Sequence, residues 1–546
     1  MTPSRSRSIR RLALAAVMLG AAGLATLAVL YAMGLRVVTW GGGRPHLEFE
    51  RSAEDQAEAI AAHRARQQAE ASAARPPAAS MDATPPAGAA SAGDAGVRAP
   101  GESSAGTPGS ATAGSRASAP AGPPASTPAG SPASAAAGSP AAAGAAPPPR
   151  SAPAIIAPPV PGGPWTDFRG PDRSGRYAAR PVRVDWPSNG LTPLWKVPVG
   201  EGYASLVTGD GRVYTIEQRG REEVVAAYDP ATGRELWTNR WATRFSEQLG
   251  GDGPRATPTW ADGRVYALGA TGEFRVLDDA TGTVVWRTNI LEDAGAANLP
   301  WGMAASPLIV GDAVVVVPGG TDGMGVVAYD RRTGERRWSS LDDRAAYASP
   351  MLVSIAGRVQ ILAVMATRLV GLDPAGGAVL WSFPWRTEFD VNAAQPIVVG
   401  ANRVFYSSGY GSGAVLVEIA ASAGGLEARE VWRSIRMKNQ FSSSVLHEGH
   451  IYGLDESILA CIDAATGELR WKGGRYGYGQ VVYASGHLIV ATEDGDVALV
   501  RATPERHDEV VRFGALSGKT WNVPSFADGI LLVRNLREMV AFDLRR

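Results

Sequence analysis

A short motif that recurs along the C-terminal part of the chain constrains the fold more than any other feature. Each copy contains an aspartate, a glycine four residues later and a tryptophan four residues beyond that. The five regular copies are YDPATGRELW (228–237), LDDATGTVVW (277–286), YDRRTGERRW (329–338), LDPAGGAVLW (372–381) and IDAATGELRW (462–471). A unit that repeats every 20–50 residues or so indicates a solenoid, a propeller or an array of small modules.

Each position of the motif has a mechanical reason. The alternating apolar run before the aspartate predicts a strand. The aspartate accepts backbone N–H groups of the following turn, and the glycine tolerates positive φ, so together they predict a hairpin. The tryptophan then lies on the outer strand, where its broad ring wedges between neighbouring sheets. Two positions before the aspartates stand Ala227, Val276, Ala328, Gly371 and Cys461, four of them small enough to leave room for the adjacent layer.

The number of units follows from the aromatic residue that ends each one. A further strand pair precedes every hairpin, as in TPTWADGRVYAL (257–268), so one unit is a four-stranded propeller blade. Two units are degenerate and end at Trp432 and Phe513. The last copy, AFDLRR (541–546), lacks a fourth strand, which TPLWKVPVG (192–200) supplies through Trp195. Successive anchors are 39 to 52 residues apart, which predicts eight blades closed by an N-terminal strand.

The consensus A-x-D-x-x-T-G-x-x-x-W resembles the tryptophan-docking motif of the pyrroloquinoline-quinone (PQQ) repeat propellers over about residues 192–546. That superfamily includes quinoprotein alcohol dehydrogenases and BamB-type lipoproteins of the outer-membrane assembly machinery. The resemblance implies an all-β, eight-bladed propeller. The predicted docking residues are Trp195, Trp237, Trp286, Trp338, Trp381, Trp432 and Trp471, with Asp229, Asp278, Asp330, Asp373 and Asp463 and with Gly233, Gly282, Gly334, Gly377 and Gly467.

The segment WTDFRGPDRSG (165–175) is similar to a leader that precedes many PQQ-like propellers. We expect Trp165 and Phe168 to pack as a plug against the propeller. Arg169 is expected to serve as a structural ion-pair partner. The predicted propeller domain therefore runs from 165 to 546, with blades from about 192.

An uncharged apolar segment occupies residues 12–35, behind a basic tail at 1–11. As a helix, its 24 residues would span about 36 Å, enough to cross a bilayer core of about 30 Å. Four arginines precede the segment and only Arg36 follows it closely, which predicts that the downstream chain is extracytoplasmic. We interpret the segment as an uncleaved signal anchor in the bacterial inner membrane. The alternative is a cleaved signal peptide, although no clear cleavage site follows Leu35.

Two segments of unlike composition separate this anchor from the propeller. Residues 36–74 form a juxtamembrane stretch with a short helix from about Ser52, whose apolar face is mostly alanine and should remain solvated or pack weakly. Residues 75–164 are dominated by Ala, Pro, Ser and Gly and are predicted to be a disordered linker that tethers the propeller.

The candidate site is the central funnel, where innermost strands begin. Candidate ligand-binding residues at its rim are Arg255, Trp301, Asn392, Gln440, Lys519 and Trp521. A tryptophan provides a stacking platform, and Arg255 and Lys519 provide positive charge for an anion, a mixture that would suit a planar tricarboxylate such as PQQ. A solvated channel mouth with no dedicated ligand is the alternative. For calcium, only Asp252 and Asp390 come close to this rim in sequence, with Glu247 and Asn392 nearby, so no metal site or catalytic residue is predicted.

Two smaller features have structural explanations. HEGH (447–450) lacks the spacing of a zinc helix and matches a hairpin tip, and Cys461, the one cysteine, fills a small-residue slot in the repeat and should be buried. It excludes both an intramolecular disulfide and a cysteine-rich metal site.

The functional prediction is a membrane-tethered binding scaffold for a protein partner or a small ligand, BamB-like in fold and without catalytic activity. The alternative is a PQQ-dependent dehydrogenase that oxidises an alcohol or sugar and requires PQQ with calcium. A membrane-coupled sensor is disfavoured by the short cytoplasmic tail. Lys plus Arg (53) balance Asp plus Glu (53), so no nucleic-acid partner is expected, and the chain is expected to be monomeric.

Overall fold

Eight antiparallel four-stranded sheets follow one another along residues 193–546 and form the predicted ring of blades. The computed structural model describes residues 26, 29–30, 35–38, 46–49, 52–73, 157–159 and 162–546. In every blade the chain runs from the innermost strand outwards, and contacts between successive innermost strands surround the axis. The all-β, eight-bladed prediction is confirmed.

The strand bounds, blade by blade, are as follows. Blade 1 comprises β5 (Val207–Gly209), β6 (Arg212–Arg219), β7 (Glu222–Tyr228) and β8 (Glu235–Ala242), and blade 2 comprises β9 (Thr259–Ala261), β10 (Arg264–Leu268), β11 (Glu273–Asp278) and β12 (Val284–Asn289). Blade 3 comprises β13 (Leu308–Val310), β14 (Ala313–Val316), β15 (Val326–Asp330) and β16 (Arg336–Ser340), and blade 4 comprises β17 (Met351–Ile355), β18 (Arg358–Val364), β19 (Arg368–Leu372) and β20 (Val379–Pro384).

The remaining blades include both degenerate units and the closing one. Blade 5 comprises β21 (Ile397–Val399), β22 (Arg403–Ser408), β23 (Gly413–Ser422) and β24 (Gly425–Ser434), and blade 6 comprises β25 (Val445–His447), β26 (His450–Asp455), β27 (Ile458–Asp463) and β28 (Leu469–Arg475). Blade 7 comprises β29 (Gln480–Ala484), β30 (His487–Ala491), β31 (Asp496–Arg501) and β32 (Glu509–Gly514), with β3 (Arg176–Tyr177) added in parallel to β29. Blade 8 comprises β33 (Ser525–Ala527), β34 (Ile530–Arg534), β35 (Glu538–Asp543) and β4 (Pro193–Pro198).

Strand β4 closes the ring, as the incomplete last repeat predicts. It pairs antiparallel with β35, and Trp195 stands opposite Ala541. The last blade therefore joins segments nearly 350 residues apart in sequence, and no blade is left with an unpaired third strand.

The repeat motif docks five of the eight blades onto the next one. An added Cβ at Gly233, Gly282, Gly334, Gly377 or Gly467 would lie 2.5–2.8 Å from the indole of the preceding blade's tryptophan, so the rings of Trp195, Trp237, Trp286, Trp338 and Trp432 lie directly on these turns. The indole N–H groups of Trp195, Trp237 and Trp286 donate to the carbonyls of Pro230, Asp279 and Arg331 in the same turns. The motif aspartates accept backbone N–H groups within their turns, as Asp229 does from Ala231 and Thr232.

Trp381 departs from this pattern because the next blade lacks the motif turn. Blade 5 has a long β23–β24 hairpin instead, and the Trp381 indole donates to Gln360 Oε1 of its own blade. Residue 371 lies opposite this indole and is a glycine, whose missing Cβ leaves the room that the inward-turned ring occupies.

The leader closes one end of the axial channel. The amides of Thr208, Trp260 and Tyr483, in three different blades, donate to the carbonyls of Trp165, Thr166 and Gly175. Trp165 is buried and packs edge-on against Phe526 at 5.4 Å. The plug is therefore present, but the expected ion pair of Arg169 is not found among the described residues. Its guanidinium donates to the carbonyls of Ser444 and Val481 at 2.9 and 3.0 Å, because buried strand ends offer carbonyls rather than carboxylates.

The ion pair in the leader belongs to Arg173. It binds Asp167 at 2.9 Å and also donates to the carbonyls of Ser306 and Pro350. Burial lowers the pKa of Arg169 to about 9.

The N-terminal elements are a hairpin and a long helix. Strands β1 (Leu35–Val38) and β2 (His46–Phe49) pair antiparallel, and helix α1 spans Ala53–Ala73. Of the two expectations for α1, it does not stay solvated, because it lies on the propeller through Ile60, which is 2% exposed, and through hydrogen bonds of Gln56. Its apolar face is weak, so polar side chains provide the anchoring. A second helix, α2 (Ile290–Ala294), follows β12.

The predicted membrane segment, 12–35, lies almost wholly outside the described residues, and its last residue, Leu35, begins β1. Within the described part of the chain, none of the helices combines the length and apolar character that a bilayer crossing requires. The predicted linker at 75–164 also falls almost entirely outside the described residues, apart from 157–159 and its last three positions.

Candidate functional site

A cavity of about 640 Å³ lies on the propeller axis, at the end opposite the leader's entry. Its wall consists mainly of the segments that connect one blade's outermost strand to the innermost strand of the next. Tyr203, Trp301, Tyr347 and Trp521 come from four such connections, and Phe168 of the leader also contributes to the lining. The eightfold repeat brings these segments together, because each innermost strand starts at the same end of the ring. The leader occupies the other end of the channel, so the cavity is a pocket and not a through-channel.

Nine of the nineteen residues that line this wall are aromatic. Trp521 stacks on Tyr203 with ring centroids 5.2 Å apart and contacts Phe441 at 4.3 Å. On other parts of the wall, Trp301 lies 5.6 Å from Tyr347, and Phe389 lies 5.7 Å from Tyr410. Paired rings of this kind form a broad apolar surface whose few polar atoms lie at the ring edges.

Both predicted cations line the cavity, where they hold a neighbouring loop. Arg255 donates to the carbonyls of Gly251 and Gly253, and its guanidinium lies 4.6 Å from the ring centre of Phe245. Lys519 Nζ donates to the carbonyl of Gly250 at 3.0 Å and lies 4.2 Å from the ring centre of Trp521. Burial lowers the pKa of Arg255, because desolvation disfavours its charged form. An anionic ligand would have to compete with these carbonyls.

The amides of the predicted rim divide into two groups. Gln440 lines the cavity, as predicted. Asn392 does not, because its side chain is fully buried and donates to the carbonyls of Met365 and Ala366 at 3.1 and 2.9 Å. Asn522 is held in the same way by the carbonyls of Gly202 and Ala204. These asparagines satisfy carbonyls where strands crowd around the axis, which explains why amides recur there in the sequence.

The carboxylates near the rim already have partners and do not converge, and that of Glu247 accepts the backbone amides of Leu249 and Gly250. Asp252 forms an ion pair with Arg244 at 2.8 Å, and Asp390 forms one with Arg344. Glu493 is buried behind the wall, where it accepts the Trp521 indole N–H at 3.0 Å, and burial raises its pKa. In residues 162–546 and the other described segments, no group of three or more His, Cys, Asp and Glu side chains is placed to hold a metal ion. The described side chains at this rim therefore do not provide the converging oxygen ligands that calcium needs.

Five of the six predicted rim residues thus lie around one cavity, and Asn392 lies behind it. Sequence reasoning missed Phe168, Leu249, Phe389, Tyr410, Phe441 and Tyr478. Two of these stand beside candidate residues, Phe441 next to Gln440 and Phe389 next to Asp390, and Phe168 was expected only in the plug. Large apolar residues in otherwise small and polar connections were the signal available. Tyr410 comes from the turn between β22 and β23 and could be placed at the rim only with the blade geometry in hand.

The two minor features behave as predicted. His447 and His450 face each other across the β25–β26 turn, so HEGH is a hairpin tip. Cys461 is fully buried, and burial raises the pKa of its thiol to about 12.

Comparison with known proteins identifies similar sequences. A family model described as outer membrane protein assembly factor BamB matches residues 221–473. The protein of that name from Burkholderia pseudomallei is 24% identical over 317 residues, which cover 55% of this chain and 74% of that protein. The protein of the same name from Nitrosomonas eutropha is 27% identical over 197 residues, and this chain spans only 42% of its length.

Solved structures share the architecture at low sequence identity. A europium-containing methanol dehydrogenase superposes with a TM-score of 0.52 at 13% identity, covering 70% of this chain and 98% of that one. BamB from Moraxella catarrhalis gives a TM-score of 0.46 at 16% identity and covers 65% of this chain and 98% of its own. At such identities the likeness to the dehydrogenase shows the fold alone.

Proposed function

We propose that this PQQ-repeat, BamB-like β-propeller is a binding scaffold that takes an extended, aromatic-rich protein segment into its axial cavity. Residues 12–35 would anchor it in the inner membrane with the propeller on the extracytoplasmic side. The single observation that carries the binding role is the cavity itself, a plugged pocket of about 640 Å³ lined by paired aromatic rings.

The composition of the wall supports a peptide over a compact metal-dependent substrate. Tryptophan, tyrosine and arginine are the residue types that dominate binding hot spots, and here they converge on one concave surface. The described residues that line the cavity include two cations, Arg255 and Lys519, and no carboxylate. This imbalance favours a segment that carries an acidic group beside its apolar side chains.

The alternative, a PQQ-dependent dehydrogenase, would use the same cavity. A planar anionic ring system fits the stacked aromatics, but Asp252 and Asp390 form ion pairs with arginines and do not converge on a calcium position. We therefore propose binding as the function and retain quinone binding as the outcome that would overturn it.

Selection of peptides on the detergent-solubilised full chain tests the proposal. Peptides enriched from a display library should carry aromatic residues, and Trp301→Glu should weaken their binding at least tenfold by placing a charge on the apolar wall. Val284→Glu is the matched control, since Val284 is 41% exposed on the outer strand β12, away from the cavity. No enrichment would sink the proposal, as would stoichiometric binding of PQQ with Ca²⁺ accompanied by dye-linked alcohol oxidation.

A further inference from the structure

Helix α1 lies across the seam where the ring closes. The Gln56 side chain donates to the carbonyl of Val199 at 2.7 Å and to that of Leu536 at 2.6 Å. Arg64, two turns further on, forms an ion pair with Glu235 at 2.5 Å. Contacts with β4 of blade 8 and β6 of blade 1 place the helix over the junction of these two blades.

The direction of the helix follows from these partners. Val199 comes directly after β4, and Leu536 lies in the connection between β34 and β35, so both stand at the cavity end of the ring. Glu235 is the first residue of β8 and stands at the opposite end, beside the motif turn. The helix advances about 12 Å between Gln56 and Arg64. It therefore enters the seam from the cavity-bearing face.

Only a short distance can separate the end of the apolar segment from the start of helix α1. Leu35, the last residue of the apolar segment, pairs with Phe49 across the β1–β2 hairpin, at a Cα separation of about 5 Å. Only four residue steps, about 14 Å at full extension, separate Phe49 from Ala53. The end of the apolar segment is therefore held within about 20 Å of the point where α1 meets the cavity-bearing face.

That face also carries the most exposed large apolar side chains of the propeller. Among the described residues of the ring, those more than half exposed are Leu249 (76%), Ile435 (74%) and Phe389 (62%). All three lie in connections between blades, at the cavity end. The exposed charges that precede Phe389 in its connection are of both signs, Arg386 and Glu388, so contact there does not require an anionic surface.

We infer that the cavity-bearing face is directed at the bilayer, with Leu249, Phe389 and Ile435 entering its interfacial region. The cavity then opens onto the membrane surface, and a partner segment reaches it from the plane of the membrane. This inference rests on the proposed anchoring by residues 12–35. Transfer of apolar side chains from water into the interface is favourable. The short segment between Leu35 and α1 keeps this face close to the bilayer.

Fluorescent labels on introduced cysteines test this orientation, because the native Cys461 is buried and unreactive. The full chain is placed in phosphatidylcholine vesicles with an environment-sensitive dye at Phe389→Cys or at Ala465→Cys, an exposed position in the motif turn at the opposite face. We expect the dye at position 389 to shift to shorter wavelength and to be quenched several-fold more strongly by nitroxide-labelled lipid.

Flotation with the vesicles separates failure of the orientation from failure of the anchor. If the chain floats but both dyes report water, the orientation is wrong and the face is open to a soluble partner. If the chain does not float, the proposed anchoring fails as well. Freeing α1 with Gln56→Ala and Arg64→Glu should abolish the difference between the two dyes while flotation persists. Arg66→Glu, on an exposed position of the same helix, should leave the difference intact.

Discussion

At the scale of single residues, buried guanidinium groups connect neighbouring blades through hydrogen bonds to their backbone carbonyls. Arg169 connects blades 6 and 7 through two carbonyls, and Arg173 reaches carbonyls that precede the innermost strands of blades 3 and 4. Arg534 does the same across the seam, where it donates to Gly200 O and Thr215 Oγ1 at 2.8 and 2.7 Å. A guanidinium carries five donors on three nitrogens and can reach several strand ends at once, whereas an ammonium group has three donors on one nitrogen.

Arg173→Lys should therefore destabilise the protein despite conserving the charge. The change leaves buried carbonyls without donors, and we expect the free energy of unfolding to fall by about 3 kcal/mol. Urea unfolding monitored by tryptophan fluorescence measures the effect. Arg180→Lys, at a partly exposed pair with Asp528, should change stability by less than about 0.5 kcal/mol. Equal effects at the two sites would contradict the role given to Arg173.

Glu223 makes stability depend on pH near neutrality. Its side chain is fully buried and accepts the Ala270 amide at 2.9 Å, and burial raises its pKa to about 7. The folded state then binds more protons than the unfolded state between about pH 4.5 and 7, so this group's contribution is present below that window and is lost as the pH rises through it.

We expect Glu223→Gln to flatten this dependence and to stabilise the protein at pH 8 by about 3 kcal/mol, the free-energy equivalent of the pKa shift. Thermal unfolding of both proteins at pH 5 and pH 8 checks this. Parallel pH profiles would show that Glu223 does not titrate in this range.

At the scale of secondary-structure elements, the blades are held together by tryptophans that dock on the motif glycines. Gly334 has φ of 78°, and a Cβ there would lie 2.7 Å from the Trp286 ring. Gly357 has a similar φ of 73°, but a Cβ there would meet nothing within 4 Å. The two positions share the backbone cost of a side chain at positive φ and differ only in the contact.

Gly334→Ala should thus cost more than Gly357→Ala. We expect about 1 kcal/mol for the backbone term in both variants and a further 1–3 kcal/mol at Gly334, where the docked ring is forced to move. Chemical denaturation measures both values. Equal destabilisation would mean that the indole moves aside at no cost.

The sequence predicts elements well where their causes are local. The motif turns and the four-stranded blades depend on residues a few positions apart, and the structure has them as expected. The closing strand with Trp195 pairs with a distant strand, and it could be predicted because the count of repeats leaves the last blade one strand short. The inward turn of Trp381 depends on a hairpin some 40 residues later in the chain. The packing of α1 depends on hydrogen bonds to backbone carbonyls, and a sequence pattern gives no sign of these. At the cavity, residue type distinguished Trp301 and Trp521 but could not separate a lining amide, Gln440, from a buried one, Asn392.

Closure is the property that belongs to the whole molecule. Trp195 lies opposite Ala541 within blade 8 and rests on the Gly233 turn of blade 1, so one side chain joins the last sheet to the first. An unpaired β35 would offer a free edge to other chains.

Trp195→Ala should therefore cause self-association as well as loss of stability. We expect a larger mass than that of the parent chain in size-exclusion chromatography with light scattering, with both proteins measured side by side. Trp338→Ala removes a comparable docking ring from within the ring of blades, and should lower the unfolding midpoint without changing the oligomeric state. A monomeric Trp195→Ala variant would show that β4 stays paired without its tryptophan.

The packing of α1 on the ring changes what the Ala/Pro/Ser/Gly-rich stretch can do. Helix α1 ends at Ala73 and packs on the propeller, and the leader that begins near Trp165 is fixed in the channel. Both ends of the stretch at 75–164 therefore join the same compact unit. Lengthening this stretch should cost only about 0.6 kcal/mol per doubling in closure entropy. Under the anchoring proposed above, the distance between the ring and the bilayer depends instead on the few residues between Leu35 and Gln56. We therefore expect insertions there, and not in the stretch at 75–164, to change the difference between the two dyes.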